Sequence, residues 1–391
     1  MRELNQLRVV DELRRHGKLS RAEIARRTGL SRTTISTLVG DLVHRGFVAE
    51  QPEADVASTR GRPGILLSLD PSAGAVVGVD FDHDRVHVAV SELSREVLAE
   101  AVQELDVDHD AAGGLDVAAE LVAAVLAEAG VDLGRVLGVG MAVPGPVDPR
   151  TGKAYPGAIL PGWSGVDATA ELTERLGLPV HLDNDANLGA LAEVTLGAGR
   201  NARNALYIQL SSGIGAGLII DGRPYHGARG VAGEIGHIAI DDTGPVCRCG
   251  NRGCLETLAS GPALAKLLSS SLGEEISVSR MIEMAKQGHR GSARVIADAG
   301  RVVGRVLATL CNVFNPEMVV VGGDLSATGD ILLDPLRDSL QRTALPMATR
   351  DLTVVAGELG ERACVLGALA LAIAQSEQAV AARIAAVRTA T

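Results

Sequence analysis

Aromatic side chains are almost absent from this sequence: its 391 residues include one tryptophan, three tyrosines and three phenylalanines, or 2% of the chain. The hydrophobic cores must therefore be built from alanine, valine, leucine and isoleucine. Hydrophobic residues still make up 46% of the chain and charged residues 22%. This balance excludes an intrinsically disordered protein and is typical of a globular one.

Long apolar runs are also missing. No segment of about 18 uncharged apolar residues occurs, and the first residues, MRELNQLRVVDELRR, contain no apolar signal region. We therefore expect a cytoplasmic protein with no membrane partner.

Cysteine is scarce, with five in the chain, and three of these fall between positions 247 and 254. So few cysteines exclude a disulfide framework and fit a reducing compartment. The other two, Cys311 and Cys364, fall in apolar segments with helical patterns. We expect both to be buried hydrophobic residues.

The clustered cysteines follow a histidine at position 237, on a segment rich in glycine. One imidazole and three thiolates are the ligand set of a closed structural zinc site, and the glycines allow tight turns between the ligands. The predicted ligands of a structural Zn²⁺ are His237, Cys247, Cys249 and Cys254. The alternative is that these cysteines are ordinary buried thiols.

Charge is unevenly distributed along the chain. The net charge is −11, but residues 1–62 contain 12 basic and 8 acidic residues, whereas the remainder contains 25 basic and 40 acidic ones. This length predicts two or three domains. A basic N-terminal module on an acidic body indicates that only the first part meets a polyanion.

The basic part carries three predicted helices. Apolar residues recur at helical spacing over residues 4–16, Ser20 and Glu23 form a capping-box pattern, and Ser31 precedes the third segment. Two short helices joined by a tight turn form a helix-turn-helix, whose second helix enters the major groove by its N-terminal residues. The candidate DNA contacts there are Ser31, Arg32, Thr33, Thr34, Ser36 and Thr37.

Two predicted strands, FVAEQ and ILLSL, follow these helices and flank a polar loop that carries Arg60 and Arg62. Such a pair predicts a winged helix, and arginines on its tip can reach phosphates or a narrow minor groove. The alternative is a small helical interaction module with a solvated loop.

From Asp70 onward the pattern changes to that of an α/β body. Three segments with strand patterns come first, AVVGVDFD, DRVHVAVSEL and REVLAEAVQEL. A helix over residues 115–129 and a buried strand in VLGVGMAVPGPVD follow. A glycine-rich hairpin begins near Leu206, and an alanine-rich helix closes the sequence.

The cysteine segment resembles the signature of the ROK family of repressors, uncharacterised reading frames and sugar kinases. The sequence reads Gly-His at 236–237 and Cys-Arg-Cys-Gly-Asn-Arg-Gly-Cys-Leu-Glu at 247–256. The resemblance spans about residues 75–375. It implies a winged helix-turn-helix over residues 1–70, followed by a two-lobed, actin-like and sugar kinase-like body over residues 71–391. The second lobe would begin near residue 206.

Kinases of this family carry an Asp-x-Gly-Gly-Thr turn near the start of the body, and here this sequence departs from them. Aligned from Gly78-Val79-Asp80, the glycines and the threonine fall on Asp82, His83 and Asp84. Two carboxylates would then lie where nucleotide phosphates bind, and like charges at close range repel each other. We therefore expect no ATP site of the usual kind and no enzyme activity.

The sugar-binding motifs are better preserved. Residues 183–187 read Asp-Asn-Asp-Ala-Asn and resemble the Asn-Asp-Ala-Asn motif of the family. In a kinase Asp185 would be the general base, whereas without a phosphate donor it would only bind sugar. An asparagine that usually precedes the Pro-Gly-Trp motif falls on Ile159. The sugar contacts implied by the resemblance are Asn184, Asp185, Glu234, His237 and Glu256.

These features predict a sugar-responsive transcriptional repressor that binds operator DNA as a homodimer or homotetramer, since paired half-sites require paired heads. A second hypothesis is an active sugar kinase with an accessory DNA-binding head, which Asp185 and the second glycine hairpin favour. A third is a regulator that has lost its sugar, which only the change at Ile159 favours.

Overall fold

The structure is a computed structural model of the 391-residue chain and describes residues 2–52, 65–148, 150–154, 160–200, 202–376 and 379–380. Among these residues no helix combines the length and the apolar character needed to cross a membrane. Two five-stranded sheets form the body, and a three-stranded sheet belongs to the N-terminal head.

The head is a winged helix-turn-helix, as predicted. Its elements are α1 (Arg2–His16), β1 (Leu19–Ser20), α2 (Arg21–Thr28), α3 (Arg32–His44), β2 (Val48–Pro52) and β3 (Ile65–Leu69). Ser20 and Glu23 form the predicted capping box of α2, and the Ser31 side chain accepts the Thr34 N–H at the start of α3. The strands are antiparallel in the order β1-β3-β2. Residues 53–64, which include Arg60 and Arg62, lie outside the described residues.

The first lobe of the body is a mixed sheet covered by helices. Its elements are β4 (Ala75–Phe81), β5 (Arg85–Glu92), β6 (Val97–Glu104), α4 (Ala111–Glu128), β7 (Val136–Val143), β8 (Val147–Asp148), β9 (Lys153–Ala154), α5 (Ala168–Leu176), β10 (Val180–Asn184) and α6 (Asp185–Thr195). The sheet order is β10-β7-β4-β5-β6. The helix predicted from residue 115 begins at Ala111, because Asp110 caps it by accepting the Gly113 N–H at 2.9 Å.

The second five-stranded sheet and the helices that cover it form a second lobe, whose first strand begins at Ala205. Its elements are β11 (Ala205–Leu210), β12 (Ile214–Ile220), β13 (Arg223–Pro224), α7 (Leu255–Ala259), α8 (Gly261–Leu272), α9 (Val278–Lys286), α10 (Arg290–Phe314), β14 (Met318–Gly322), α11 (Asp330–Thr343), α12 (Pro346–Thr349) and β15 (Thr353–Ala356). The sheet order is β13-β12-β11-β14-β15. Cys311 is fully buried on α10, as expected.

The chain then returns to the first lobe as α13 (Ala363–Gln375), which packs on β4, β7 and α6. Helix α6 also packs on β11 and β12, so the two helices join the lobes. Apolar residues of α13 share one hydrophobic cluster with Val9, Val10 and Leu13 of the head. In addition, Nη1 of Arg14 donates to the Ile373 carbonyl at 2.9 Å. The head is therefore docked on a helix that also contacts the interlobe region.

Candidate functional site

A cleft of about 520 Å³ lies between the lobes, at the carboxyl ends of β4 and β10 and beside the β11–β12 turn. All five predicted sugar contacts line it: Asn184, Asp185, Glu234, His237 and Glu256. Asn184 and Glu256, which are 72 positions apart in the sequence, therefore line the same cleft. Carboxylates line it from both lobes: Asp82 and Asp185 from the first, Glu234 and Glu256 from the second.

Asn184 is positioned as the N-cap of α6. Its Oδ1 accepts the Asn187 N–H at 3.1 Å, while its Nδ2 donates to the Gly145 carbonyl at 3.0 Å and to Oδ1 of Asp185 at 2.8 Å. Both amide hydrogens are therefore used within the protein. The main effect of the Asn184 side chain is to orient Asp185 at the N-terminus of α6.

Asp185 has two further donors around it. Gln209 Nε2 reaches Oδ2 at 3.0 Å and the Ala186 N–H reaches Oδ1 at 2.8 Å. Burial nevertheless raises the pKa of Asp185 to about 6, and the nearby charge of Asp82 adds to this rise against the effect of the Ala186 N–H. A carboxylate whose pKa is raised in this way is more basic than an ordinary aspartate and is a good hydrogen-bond acceptor for a hydroxyl group.

Glu234 and Glu256 face the same cleft from the second lobe. Burial raises the pKa of Glu234 to about 7, and the charges of Asp185 and Glu256 contribute to the rise. Glu256 accepts the Ile214 N–H at 3.3 Å and pairs with Arg248 Nε at 3.3 Å. The glycine-rich β11–β12 hairpin therefore directs this N–H to a carboxylate of the protein.

The predicted metal ligands form one cluster, with all four ligand atoms within 4.8 Å of one another. Sγ of Cys247 lies 3.6 Å from Nδ1 of His237, and Sγ of Cys249 lies 3.7 Å from Sγ of Cys254. A tetrahedral zinc ion with these ligand types would separate them by about 3.5 to 3.8 Å. The donor set and its spacing fit such an ion.

The loop reaches this geometry through a glycine. Gly253 has φ +59, and a Cβ at this position would lie 1.7 Å from the Asp241 carbonyl oxygen. Its N–H donates to the Pro245 carbonyl at 2.8 Å and its carbonyl accepts the Ile240 N–H at 2.9 Å. Only glycine permits both the left-handed backbone and this close approach. The turn places Cys254 beside His237.

The two ring nitrogens of His237 face different surroundings. Nδ1 points to the Cys247 thiol, whereas Nε2 lies 3.8 Å from Oε2 of Glu234, and the residue lines the cleft. The metal cluster and the cleft therefore share one side chain.

The turn between β4 and β5 is acidic, with Asp82 and Asp84. Asp82 accepts the His83 N–H at 2.8 Å and pairs with Arg85 at 3.2 Å. Behind it a second cavity of about 390 Å³ is lined by the acidic residues Asp80, Asp82, Asp185, Asp324 and Glu361, with Arg85. Burial, and then the charges of Asp82 and Asp185, raise the pKa of Asp80 well above its usual value.

Several residues at the site were not predicted from the sequence. His226 Nε2 donates to Oδ2 of Asp183 at 2.7 Å and so links the second lobe to the start of the sugar motif. Gln209 and Arg248 line the cleft. Cys364 is half-buried, and its thiol lies 3.5 Å from both the Asp185 carbonyl and Gln209 Oε1. Only Arg248, within the cysteine segment, stands in a motif that could have drawn attention to it.

The predicted DNA-contacting residues at the start of α3 lie on one surface of the head. Ile35 and Leu38 of α3 are buried in the head, so the polar residues between them face outward. Exposed on this surface are Ser31, Arg32, Thr33, Ser36 and Thr37, with Thr34 half-buried. The Thr34 backbone N–H donates to Ser31 Oγ at 3.1 Å, and the hydroxyl oxygens of the two residues lie 2.8 Å apart.

Comparison with known proteins gives consistent results. The ROK family profile matches residues 76–375, and a MarR family profile matches residues 3–57. The chain is 31% identical to the xylose repressor of Caldicellulosiruptor bescii, over 95% of this chain and 96% of that protein.

Some solved structures match nearly the whole chain, and others match about three quarters of it. A ROK family transcriptional regulator, described as a homolog of the Escherichia coli Mlc protein, superimposes with a TM-score of 0.81 at 27% identity, over 98% of each chain. A ROK family glucokinase from Streptomyces griseus, in complex with glucose and AMPPNP, has a TM-score of 0.68 at 30% identity. It covers 76% of this chain and 99% of its own, and leaves part of this chain unmatched.

Proposed function

This chain belongs to the ROK family, and from this premise we propose that it is a sugar-responsive DNA-binding regulator that represses genes of carbohydrate metabolism. One observation carries the proposal. A winged helix-turn-helix head is docked on a body whose interlobe cleft has sugar-type acceptors and lies beside an acidic turn that contains Asp82 and Asp84. The similarity to a protein named xylose repressor supports it.

In this proposal α3 binds in the major groove of operator DNA. Its N-terminal surface presents short hydroxyl side chains and Arg32, which suit phosphates and base edges. Arg60 and Arg62 of the wing would reach the backbone or the minor groove. Two heads are needed for two half-sites, so we propose a homodimer or homotetramer.

The effector is proposed to be a sugar or sugar derivative in the interlobe cleft. Asp185, Glu234, His237 and Glu256 offer convergent acceptors for hydroxyl hydrogens, and Asn184 holds Asp185 in place. A structural zinc ion on His237 and the three cysteines would supply the fixed tetrahedral centre that orders this wall of the cleft.

Helix α13 is the proposed connection between sugar and DNA. At its N-terminal end the Cys364 thiol contacts the Asp185 carbonyl at 3.5 Å, and at its C-terminal end Ile373 accepts a hydrogen bond from Arg14 of the head. A ligand that binds a closed form of the lobes more tightly would move this helix and the head with it. Couplings of this kind are typically about 1–3 kcal/mol.

A sugar kinase with an accessory head is the second candidate, and one observation favours it. The pKa of Asp185, raised by burial to about 6, is suited to a general base. The acidic residues of the rear cavity oppose this candidate, because nucleotide phosphates would lie against them.

A thermal-shift screen of the zinc-loaded chain separates the two candidates. Monosaccharides, N-acetyl sugars and sugar phosphates are tested individually, with ATP and magnesium in parallel. A ligand at about 100 times its dissociation constant adds roughly 2.7 kcal/mol of stability. We expect a shift with a sugar and none with ATP. A clear ATP shift, with sugar turnover lost in Asp185→Asn, would instead establish the kinase.

A further inference from the structure

One residue of the acidic turn faces the cleft and is held there by its surroundings. The side chain of His83 is 18% exposed, and its Nδ1 lies 2.6 Å from Oδ1 of Asp108. The backbones are also joined, since the Val107 N–H donates to the His83 carbonyl at 3.2 Å and the Leu105 N–H donates to the Asp84 carbonyl at 3.0 Å. The ring is therefore fixed at the edge of the cleft.

The Asp108 contact determines what the other ring nitrogen can do. A carboxylate only accepts hydrogen bonds, so Nδ1 of His83 must carry the hydrogen that is shared with Asp108. In the neutral ring Nε2 then offers a lone pair. Among the described residues, none is within hydrogen-bond distance of this atom, and His83 lines the cleft beside Asp82 and Asp185.

We propose that His83, oriented by Asp108, contacts the ligand and makes the cleft select a sugar with a free hydroxyl over the phosphate ester of that hydroxyl. This inference rests on the proposed sugar-sensing function. His83 Nε2 and the Asp185 carboxylate would accept hydrogen bonds from the hydroxyl groups at this end of the ligand. Asp108 is a positioning residue that fixes the ring and its tautomer.

The charge of the surroundings supports this selectivity. Asp82 and Asp185 both line the cleft beside His83, at the ends of strands of one sheet, so a phosphate group at this end would meet two carboxylates. In the phosphate ester this hydroxyl also lacks the hydrogen that it would donate to Nε2 of His83 in a hydrogen bond. Arg85 is already paired with Asp82 and Glu361, and Arg248, which lines the cleft, is paired with Glu256. A phosphate would therefore lose a hydrogen bond and gain repulsion.

The test is isothermal titration calorimetry on the zinc-loaded full chain. The neutral hexose or N-acetylhexosamine with the largest thermal shift is compared with its own 6-phosphate. The variants are His83→Ala, His83→Gln, Asp108→Ala and the double variant His83→Ala/Asp108→Ala. A matched control is His109→Ala, because His109 also pairs with an aspartate, Asp106, at 3.0 Å but is exposed outside the cleft.

We expect the unmodified chain to bind the neutral sugar at least about tenfold more tightly than the ester. His83→Ala should weaken neutral sugar binding about tenfold and narrow this preference, with partial recovery in His83→Gln, whose amide oxygen can accept. Asp108→Ala should weaken binding less, and it should add nothing in the double variant. His109→Ala should bind like the unmodified chain.

Tighter binding of the 6-phosphate, or a His83→Ala affinity within about twofold of the unmodified value, would overturn this inference while leaving a sugar sensor intact. If the unmodified chain binds DNA but no sugar of either kind, the proposed function fails and this inference fails with it. Loss of zinc from His83→Ala would equally contradict a direct ligand contact.

Discussion

Asp185 is held in the cleft at a cost to the stability of the empty protein. Its carboxylate is buried against Asp82, and the pKa of Asp185 is raised to about 6 from an ordinary 3.8. The folded state thus binds this proton more tightly than the unfolded chain does. Stability from this group is present below about pH 4 and is lost as the pH rises through 6.

Replacing this acid should therefore stabilise the empty protein. We expect Asp185→Asn to raise the free energy of unfolding at pH 8 by about 1–3 kcal/mol and to leave it nearly unchanged at pH 4. Urea unfolding at both pH values measures this. The exposed Asp132→Asn provides a control that should change neither value. If Asp185→Asn is less stable than the unmodified chain at pH 8, the hydrogen bonds to the Asp185 carboxylate outweigh the cost of burying its charge.

Residue types at the site could be predicted from the sequence, but their partners could not. The resemblance to the family pointed to Asp185 and Glu234 as sugar contacts, and both line the cleft. Gln209 and His226 were missed, since they reach the site from strands and loops whose register only the folded sheets define. The sequence likewise gave no sign that Asn184 uses both amide hydrogens to orient its neighbours.

At the scale of elements, the segment 237–254 is the part of the body that we expect to depend on a metal for its order. It contains no regular helix or strand beyond a short turn and isolated bridges, among the residues described there. The side chains of Cys247 and Cys254 are buried, and their sulfur atoms lie close to His237 and Cys249. Ligation of one metal ion by these four residues would account for this arrangement.

Removal of the metal should therefore lower stability and sugar affinity together. We expect one zinc per chain, and a loss of more than about 4 kcal/mol on chelation, the value for an ion at roughly 1,000 times its dissociation constant. Cobalt substitution should give thiolate absorption bands that Cys249→Ser reduces. Cys311→Ala lies outside the cluster and should keep the metal. Full metal loading of Cys249→Ser would disprove the ligand assignment.

The contact between α1 and α13 gives the second prediction at this scale. Arg14 is 8% exposed and donates to the last turn of α13, so Arg14→Met removes a bond from a buried guanidinium. We expect a loss of about 1–3 kcal/mol in the protection of head amides, measured by hydrogen exchange. Sugar affinity should stay unchanged while its effect on DNA binding falls.

Arg8→Met is the matched control for this experiment, because Arg8 lies on the same helix but is exposed. It should leave both the amide protection and the sugar response unchanged. If Arg14→Met lowers stability but retains the full sugar response, α13 is not the connection between the cleft and the head.

For the whole molecule, the order of elements was predictable and the docking of its parts was not. The caps at Ser20 and Ser31 are observed at the starts of α2 and α3, and the glycine-rich hairpin is observed as β11 and β12. These signals are local in sequence. The contact between α13 and the head joins Arg14 and Ile373, which are 359 positions apart in the sequence. No local sequence pattern predicts such a pairing.

The central claim is that one molecule binds both DNA and a sugar, with opposed effects. The most direct test is fluorescence anisotropy of the zinc-loaded chain on a labelled duplex that it has selected from a random-sequence pool. The sugar found by thermal shift is then added, with a non-shifting sugar as control.

We predict tight binding to the selected duplex and release by the shifting sugar alone, with DNA affinity reduced by about 5 to 150-fold. Ser36→Ala combined with Arg32→Ala should abolish selective DNA binding and keep the thermal shift. Unchanged DNA affinity at saturating sugar would contradict the account.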